Sequence, residues 1–359
     1  MLMKKWIGTI LALCLLLCGC SVEIVLVPEE TAAPAVSTVY TLTDDALTVH
    51  YLDVGQADSI LLETGGEFML IDGGNRDDGQ MVVSYLQSCG VEQLEAVVCT
   101  HAHEDHVGGL PSVLAVYPTA AVYSPTKTYS SNIFEDFLYY VDQQRLEITI
   151  PSPGDKLSLG NADITVLGPV KSYADPNNTS IILMVDFGET RFLFTGDAER
   201  EAENDMLDYW EGRFDWNVDV LKSGHHGSST SSGYRFIYET DPEYAIVSCG
   251  KDNDYGHPHE ETISLYKDAG LPMLRTDELG TVMAVSDGKE IVITWEKQHA
   301  VPTDLIPAAD FGTYIANKNS KTLHTPLCSS LPKKENQLLF DSYEEAIAAG
   351  CKACTGCIG

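Results

Sequence analysis

The chain has 359 residues, 44% hydrophobic and 9% aromatic, enough apolar material for a full core and too much for a disordered polymer. Its formal charge of −31, from 53 acidic against 22 basic residues, excludes a globally basic surface that would draw in polyanions at long range. The leader carries only Lys4 and Lys5, and residues 297–359 balance their charges, so the acid excess falls on residues 21–296.

Residues 1–20 contain those two lysines, an apolar run from Ile7 to Leu17, and Cys18-Gly19-Cys20. A positive start, an apolar stretch too short to span a bilayer in comfort and a small-residue ending describe a signal peptide. The ending resembles a bacterial lipoprotein signal, which implies that Cys20 becomes the lipidated first residue of a protein held at the extracellular face of the cytoplasmic membrane. An ordinary secretory signal or a short anchor is the alternative. Residues 21–45 include Pro28 and Pro34 among polar residues and suit a tether.

Residues 46–296 read as strand after strand. Leu47 to Leu52, Ile60 to Glu63 and Phe68 to Ile71 are apolar runs, the last two joined by Gly65-Gly66 as a hairpin. Gln80 to Cys89 carries Val82, Val83, Leu86 and Cys89 on one helical face, closed by Gly90. Leu94 to Cys99 is a short buried strand. Ile133 to Val141 and Glu199 to Trp210 read as helices. Ile148 to Ile150, Ile164 to Leu167, Ile181 to Phe187, Arg191 to Thr195, Val218 to Leu221 and Tyr244 to Ser248 read as strands, and Thr281 to Val285 with Ile291 to Thr294 as a final hairpin. The mixture predicts an α/β protein of layered sheets with helices outside.

The densest chemistry is Thr100-His101-Ala102-His103-Glu104-Asp105-His106, with Gly108-Gly109 expected to turn the backbone tightly into a helix. Imidazoles and a carboxylate this close suit a hydrolytic transition metal. Asp72, this cluster, Asp197, His225-His226 and His257 each follow an apolar strand, so they are expected to converge on one sheet edge.

These residues resemble the metallo-β-lactamase fold hydrolases, and within them the hydrolase domain of the ComEC competence proteins. The resemblance rests on Leu52-Asp53-Val54-Gly55-Gln56, Leu70 to Gly74, Thr100 to Gly109, Asn177-Asn178-Thr179-Ser180, Leu193 to Glu199, Leu221 to Ser228 and Gly256-His257-Pro258, across roughly residues 47–295. Ala57 stands where the family usually has glycine. The resemblance implies an αββα sandwich holding one or two zinc ions, or manganese. His101 and His103 would hold one metal, Asp105 and His106 the other, and Asp197 would bridge them. His257 is favoured over His225 to complete the second position, with His225 and His226 beside the scissile group. Asp72 would orient a ligand histidine, and Asp105, His225, His226 and Asp72 form the catalytic set. The family's usual further histidine is missing, and Asn177-Asn178 occupies that region. An activated water would be the nucleophile.

Residues 297–310, with Pro302 and Pro307, read as a linker to a module at 311–359. There, His324-x3-Cys328 and Cys354-x2-Cys357 have the spacing of a four-ligand structural zinc site, with disulfides as the alternative. Asp341-Ser342-Tyr343-Glu344-Glu345 opens a helix that stops at Gly350. The segment resembles the zinc-binding module of the Ada DNA-repair protein. Together the resemblances imply a cell-surface hydrolase of phosphoester bonds, with nucleic acid, DNA above all, as the leading substrate. A choline-phosphate or β-lactam-like amide substrate, and a non-catalytic surface binding protein, are the competing readings.

Overall fold

The computed structural model describes residues 46–214, 216–297, 314–324, 332–333, 336–340 and 343–354. The leader with Cys20, the tether, and Cys328 and Cys357 lie outside the described residues. Strands β1 (Leu47–Tyr51), β2 (Ile60–Thr64), β3 (Glu67–Ile71), β4 (Leu94–Val98), β5 (Thr119–Tyr123) and β6 (Ile148–Thr149) enter the first sheet. Strands β7 (Lys156–Leu159), β8 (Ala162–Gly168), β9 (Ile182–Phe187), β10 (Thr190–Phe194), β11 (Val220–Lys222), β12 (Tyr244–Val247) and β13 (Met273–Arg275) form the second. The chain then returns to the first sheet with β14 (Val282–Ser286) and β15 (Ile291–Trp295), giving the orders β15-β14-β1-β2-β3-β4-β5-β6 and β13-β12-β11-β10-β9-β8-β7.

The strands are apolar on both faces, as the sequence runs require, because each sheet is covered twice. Val49 and Tyr51 of β1, Ile60 and Leu62 of β2, Leu183 and Val185 of β9, and Phe192 and Phe194 of β10 fill the space between the sheets. Intervening residues point outward: Leu61 and Leu70 pack under α1 (Gly79–Ser88), α3 (Leu110–Val116) and α4 (Asn132–Gln143), which follow the short α2 (Glu104–Val107). On the far side, Met184 and Leu193 pack under α5 (Arg200–Trp210), α6 (Tyr234–Thr240) and α7 (Glu260–Ala269), with α8 (Thr276–Leu279) following. The architecture is helix, sheet, sheet, helix, the αββα sandwich expected. Helix α4 shows why a segment becomes a helix here. Ser131 caps it by accepting from the Phe134 N–H, and Ile133, Phe134, Phe137 and Val141 repeat at helical spacing toward the core.

The expected hairpin at Gly65-Gly66 is present, β2 pairing β3 antiparallel with Thr64 opposite Glu67. Gly108 and Gly109 correct the sequence reading. Both have ordinary right-handed helical backbone, so no turn demands glycine there. They are needed for close approach: a Cβ on Gly109 would lie 2.0 Å from the Gly73 carbonyl oxygen, and one on Gly108 2.4 Å from the Arg76 nitrogen. The helix following the histidine cluster is pressed against the Asp72-Gly73-Gly74 loop.

In the tail, β16 (Tyr314–Asn317), β17 (Thr322–His324), β18 (Gln337–Phe340) and β19 (Lys352–Ala353) form a sheet ordered β18-β16-β17-β19, with α9 (Tyr343–Ala348) between the last two strands. Helix α9 lies where the Tyr343-Glu344-Glu345 start and Gly350 stop placed it.

Candidate metal centre

Parallel pairing runs through β3, β4 and β5 in one sheet and β10, β11 and β12 in the other. Loops leaving the carboxyl ends of such strands open into one crevice. Asp72 leaves β3, the histidine cluster leaves β4, Asp197 leaves β10, His225-His226 leaves β11, and the His257 loop follows β12. Asp72, His225 and His226 adopt left-handed backbone, at φ 58, 49 and 54, which costs non-glycine residues about 1–2 kcal/mol each. Strain of this kind is retained where a site requires it.

The buried Asp72 carboxylate accepts from the Thr100 N–H at 2.7 Å, the Thr100 hydroxyl at 2.6 Å and His106 Nδ1 at 2.8 Å. Holding the proton on Nδ1 leaves His106 Nε2 as the ring nitrogen able to ligate once it gives up its proton. That atom is buried without a hydrogen-bond partner and lies 3.3 Å from Asp197 Oδ1, which is equally unpartnered. His226 repeats the device: Nδ1 sits 3.0 Å from the Ser248 carbonyl oxygen, while the unpartnered Nε2 lies 3.3 Å from Asp105 Oδ2 and 3.6 Å from Asp197 Oδ2. One donor atom from each of Asp105, His106, Asp197 and His226 falls within 4.8 Å of the others. Two imidazole lone pairs and two carboxylates converging in a dry pocket, three of the four offering an orphaned atom, are what a divalent cation satisfies.

His101 and His103 lie beside this compact set and outside it. His101 is fully buried, its Nε2 3.1 Å from His103 Nδ1 and 3.9 Å from Asp197 Oδ2, so Asp197 faces both groups of histidines. The asparagine pair does not replace the missing histidine through Asn178, whose side-chain oxygen accepts from the Glu199 N–H at 2.9 Å and ties its own loop down. Ser180 in the same segment fixes the Asp197 backbone by accepting from its N–H at 3.0 Å.

For the last position the sequence leaves His257 and His225 competing, and neither is in the compact donor set. His226 belongs to the compact donor set, and His257 does not. Gln56 Nε2 lies 3.1 Å from His257 Nδ1, and Asn253 grips the His257 backbone on both sides, holding the ring beside the site, 6.4 Å from the His226 ring. Sequence spacing is silent on this because the two loops leave neighbouring strands. His225 stands at the rim, 22% exposed, with Nε2 3.6 Å from Asp197 Oδ2.

Charge in the pocket follows from its crowding. Burial pulls the His226 imidazole down, but Asp197 and Asp58 outweigh burial and push its pKa up to about 10. His106 is likewise driven well above the usual range, against burial, by Asp197 and Asp72. Burial raises the Asp197 carboxyl, and the facing His106 and His226 carry it well below its ordinary value in net. His101, shielded by burial and beside His106, is pushed well down, and His257 falls to about 4 chiefly through burial.

Two supporting residues escaped the sequence reading. Thr100 is the residue that pins Asp72. Lys222, wholly buried, pairs with Asp58 at 2.8 Å. A lysine closing an apolar strand was the available signal, since buried lysines are almost never unpaired.

In the tail, His324 ends β17 and is buried, and the Cys354 N–H donates to the Leu323 carbonyl at 2.9 Å across the parallel β17–β19 pair. Two of the four expected ligands therefore lie at adjacent strand ends.

Residues 52–251 match the family model described as the metallo-beta-lactamase superfamily, and residues 303–358 match the metal binding domain of Ada. The second match begins inside the stretch read as linker. The chain is 30% identical over 253 residues to ComE operon protein 3 of Bacillus subtilis (strain 168), covering 65% of this chain and 32% of that protein. It is 30% identical over 232 residues to competence protein ComA of Neisseria gonorrhoeae, covering 64% of this chain and 31% of that one. The chain thus spans about a third of the length of these curated relatives. Among solved structures, the metallo-beta-lactamase fold protein YhfI from Bacillus subtilis aligns with a TM-score of 0.47 at 15% identity, over 70% of this chain and 100% of that one. From the match over residues 52–251 and the sandwich that carries it, the chain belongs to the metallo-β-lactamase superfamily of metal-dependent hydrolases, with an Ada-like zinc-binding module after it.

Proposed function

We propose that the chain is a cell-surface phosphodiesterase acting on nucleic acid, held outside the cytoplasmic membrane by lipid on Cys20. The observation that carries the hydrolytic part is the convergence of His106 Nε2, Asp197 Oδ1 and His226 Nε2, all buried and unpartnered, beside Asp105. Asp105, His106, Asp197 and His226 would hold a divalent cation there, and the chemistry it would supply is Lewis-acid activation of a water molecule and of a phosphoryl oxygen. The protein's own contribution is to fix the donors. Asp72 holds His106 in one tautomer, Ser180 aims Asp197, and the strained backbone at 225–226 presents one imidazole inward and one at the rim. His225 would donate a hydrogen bond to a non-bridging or departing phosphate oxygen.

Nucleic acid is favoured as substrate by two lines: the names of the competence relatives, and the Ada-type module carried on the same chain. The acid excess adds a condition. Long-range repulsion slows the approach of a polyanion at low ionic strength, so turnover on DNA should rise as moderate salt screens the field, the reverse of a basic DNA-binding enzyme. The assay sets single-stranded DNA, a bis-aryl phosphodiester and a cephalosporin side by side with zinc or manganese. Cleavage of both phosphodiesters supports the reading. Cleavage of the cephalosporin alone, or of none with metal bound, overturns it.

A further inference from the structure

We propose that Lys222 and Asp58 form a buried positioning pair that sets the spacing between Asp105 and His226, donors supplied from opposite sheets of the sandwich. Lys222 Nζ lies 2.8 Å from Asp58 Oδ2, with the side chains 0% and 1% exposed, and its ammonium also donates to the Ser223 carbonyl at 2.9 Å. Lys222 closes β11, and the strained turn bearing His226 begins immediately after it.

Asp58 faces the other way as well. Its N–H donates to the Asp105 carbonyl at 3.1 Å, and its carbonyl accepts from the Gly74 N–H at 2.7 Å. Its second carboxylate oxygen, Oδ1, is buried without a hydrogen-bond partner and lies 3.4 Å from His226 Nδ1. One residue therefore grips the Asp105 backbone and the strand end leading to His226, and sets its free carboxylate oxygen beside the His226 ring, whose Nδ1 is bonded to the Ser248 carbonyl. The Asp105–His226 contact of 3.3 Å is closed by this crossing link.

A fully buried ion pair is a poor stability device, because desolvation of both charges offsets most of their attraction. An apolar pair of similar volume would hold the sheets together as well. What the charged pair adds is a fixed length and direction between two loops that have no strand pairing with each other.

The inference rests on reading Asp105, His106, Asp197 and His226 as a metal site, and the test separates the two. Cobalt(II) is titrated into the metal-free full chain and into the paired variant Asp58→Asn/Lys222→Met, with metal-free thermal unfolding recorded for both. The expected result is unfolding within a few degrees of the parent and cobalt affinity at this site weaker by roughly ten- to a hundredfold. Uptake by the tail module, unchanged, serves as the internal control. A purely structural role would lower the unfolding temperature and leave the folded chain's affinity intact, which overturns the proposal. If the paired variant does not unfold cooperatively, Lys222→Gln, which keeps a donor toward Asp58 without the charge, is read in the same way, and unchanged affinity again overturns it. A parent that takes up no cobalt beyond the tail's share removes the metal-site reading itself.

Discussion

Asp72→Asn isolates the tautomer argument. The substitution keeps the volume, and the amide oxygen can still accept from the Thr100 N–H where Asp72 Oδ1 does now, at 2.7 Å. The amide nitrogen then falls where Asp72 Oδ2 stands, 2.8 Å from His106 Nδ1 and 2.6 Å from the Thr100 hydroxyl. Two donors cannot face each other at that distance. His106 must surrender its Nδ1 proton, take the other tautomer and place a hydrogen on Nε2, the atom aimed at Asp197 Oδ1. The alternative is to leave both donors buried and unsatisfied, at about 1–3 kcal/mol. Metal affinity should therefore fall roughly ten- to a hundredfold, equivalent to about 1.4–2.8 kcal/mol. Chelator-competition titration of zinc reads the affinity, and circular dichroism melts of the metal-free chain check that the fold survives. Parental zinc affinity in a folded Asp72→Asn variant would refute the assignment of His106 Nε2 as a ligand.

Four further outcomes follow from the structure. His106 and His226 must shed protons to ligate, so metal binding at neutral pH should release on the order of two protons, seen as buffer-dependent heats in calorimetry; buffer-independent heats would contradict this. A base whose folded pKa is raised contributes stability that is complete below its unfolded value of 6.5 and lost as pH rises through about 10, so the metal-free chain should weaken across that window. Glu203 is the opposite case: burial raises its carboxyl from 4.5 to about 7, so the folded state should lose stability as pH rises through that interval, by about 3 kcal/mol at most, and Glu203→Gln should flatten the urea-unfolding profile there. Gly109→Ala, with its Cβ 2.0 Å from the Gly73 oxygen, should cost at least about 3 kcal/mol or prevent folding, whereas Gly90→Ala, which meets nothing within 4 Å, should cost only about 1 kcal/mol of backbone strain.

The parts of the site that the sequence displays are those attached to strand ends. Asp72, His101 to His106, Asp197 and His225-His226 all follow apolar runs, and buried parallel strands oblige their following loops to share a crevice. Layered sheets with helices outside are legible for the same reason, since runs apolar on both faces need cover on both sides, while the αββα order is what the family resemblance implies. Within residues 46–296 the patterns do not display strands β5, β7 and β13 or helices α2, α6, α7 and α8; β13 is only Met273–Arg275, too short to display a period. Spacing offers His257 or His225 for the last position, and that the compact donor set contains His226 instead depends on where two loops from adjacent strands close, which residue spacing does not encode. Lys222 and Asp58 are far apart in the chain and meet only through the packing of the two sheets. Gly108-Gly109 was read as a turn because sequence exposes a glycine's freedom but not its neighbours.

The central claim is that Asp105, His106, Asp197 and His226 hold the metal that performs hydrolysis, with the tail binding zinc separately. The most direct measurement is metal content of the full chain and of Asp197→Ala after zinc loading and desalting, alongside bis-aryl phosphodiester turnover. Asp197 faces His106, His226 and His101 at 3.3, 3.6 and 3.9 Å, so its removal should abolish the sandwich domain's metal and its turnover while the tail keeps its own zinc. Equal metal content and equal turnover in parent and variant would contradict the account.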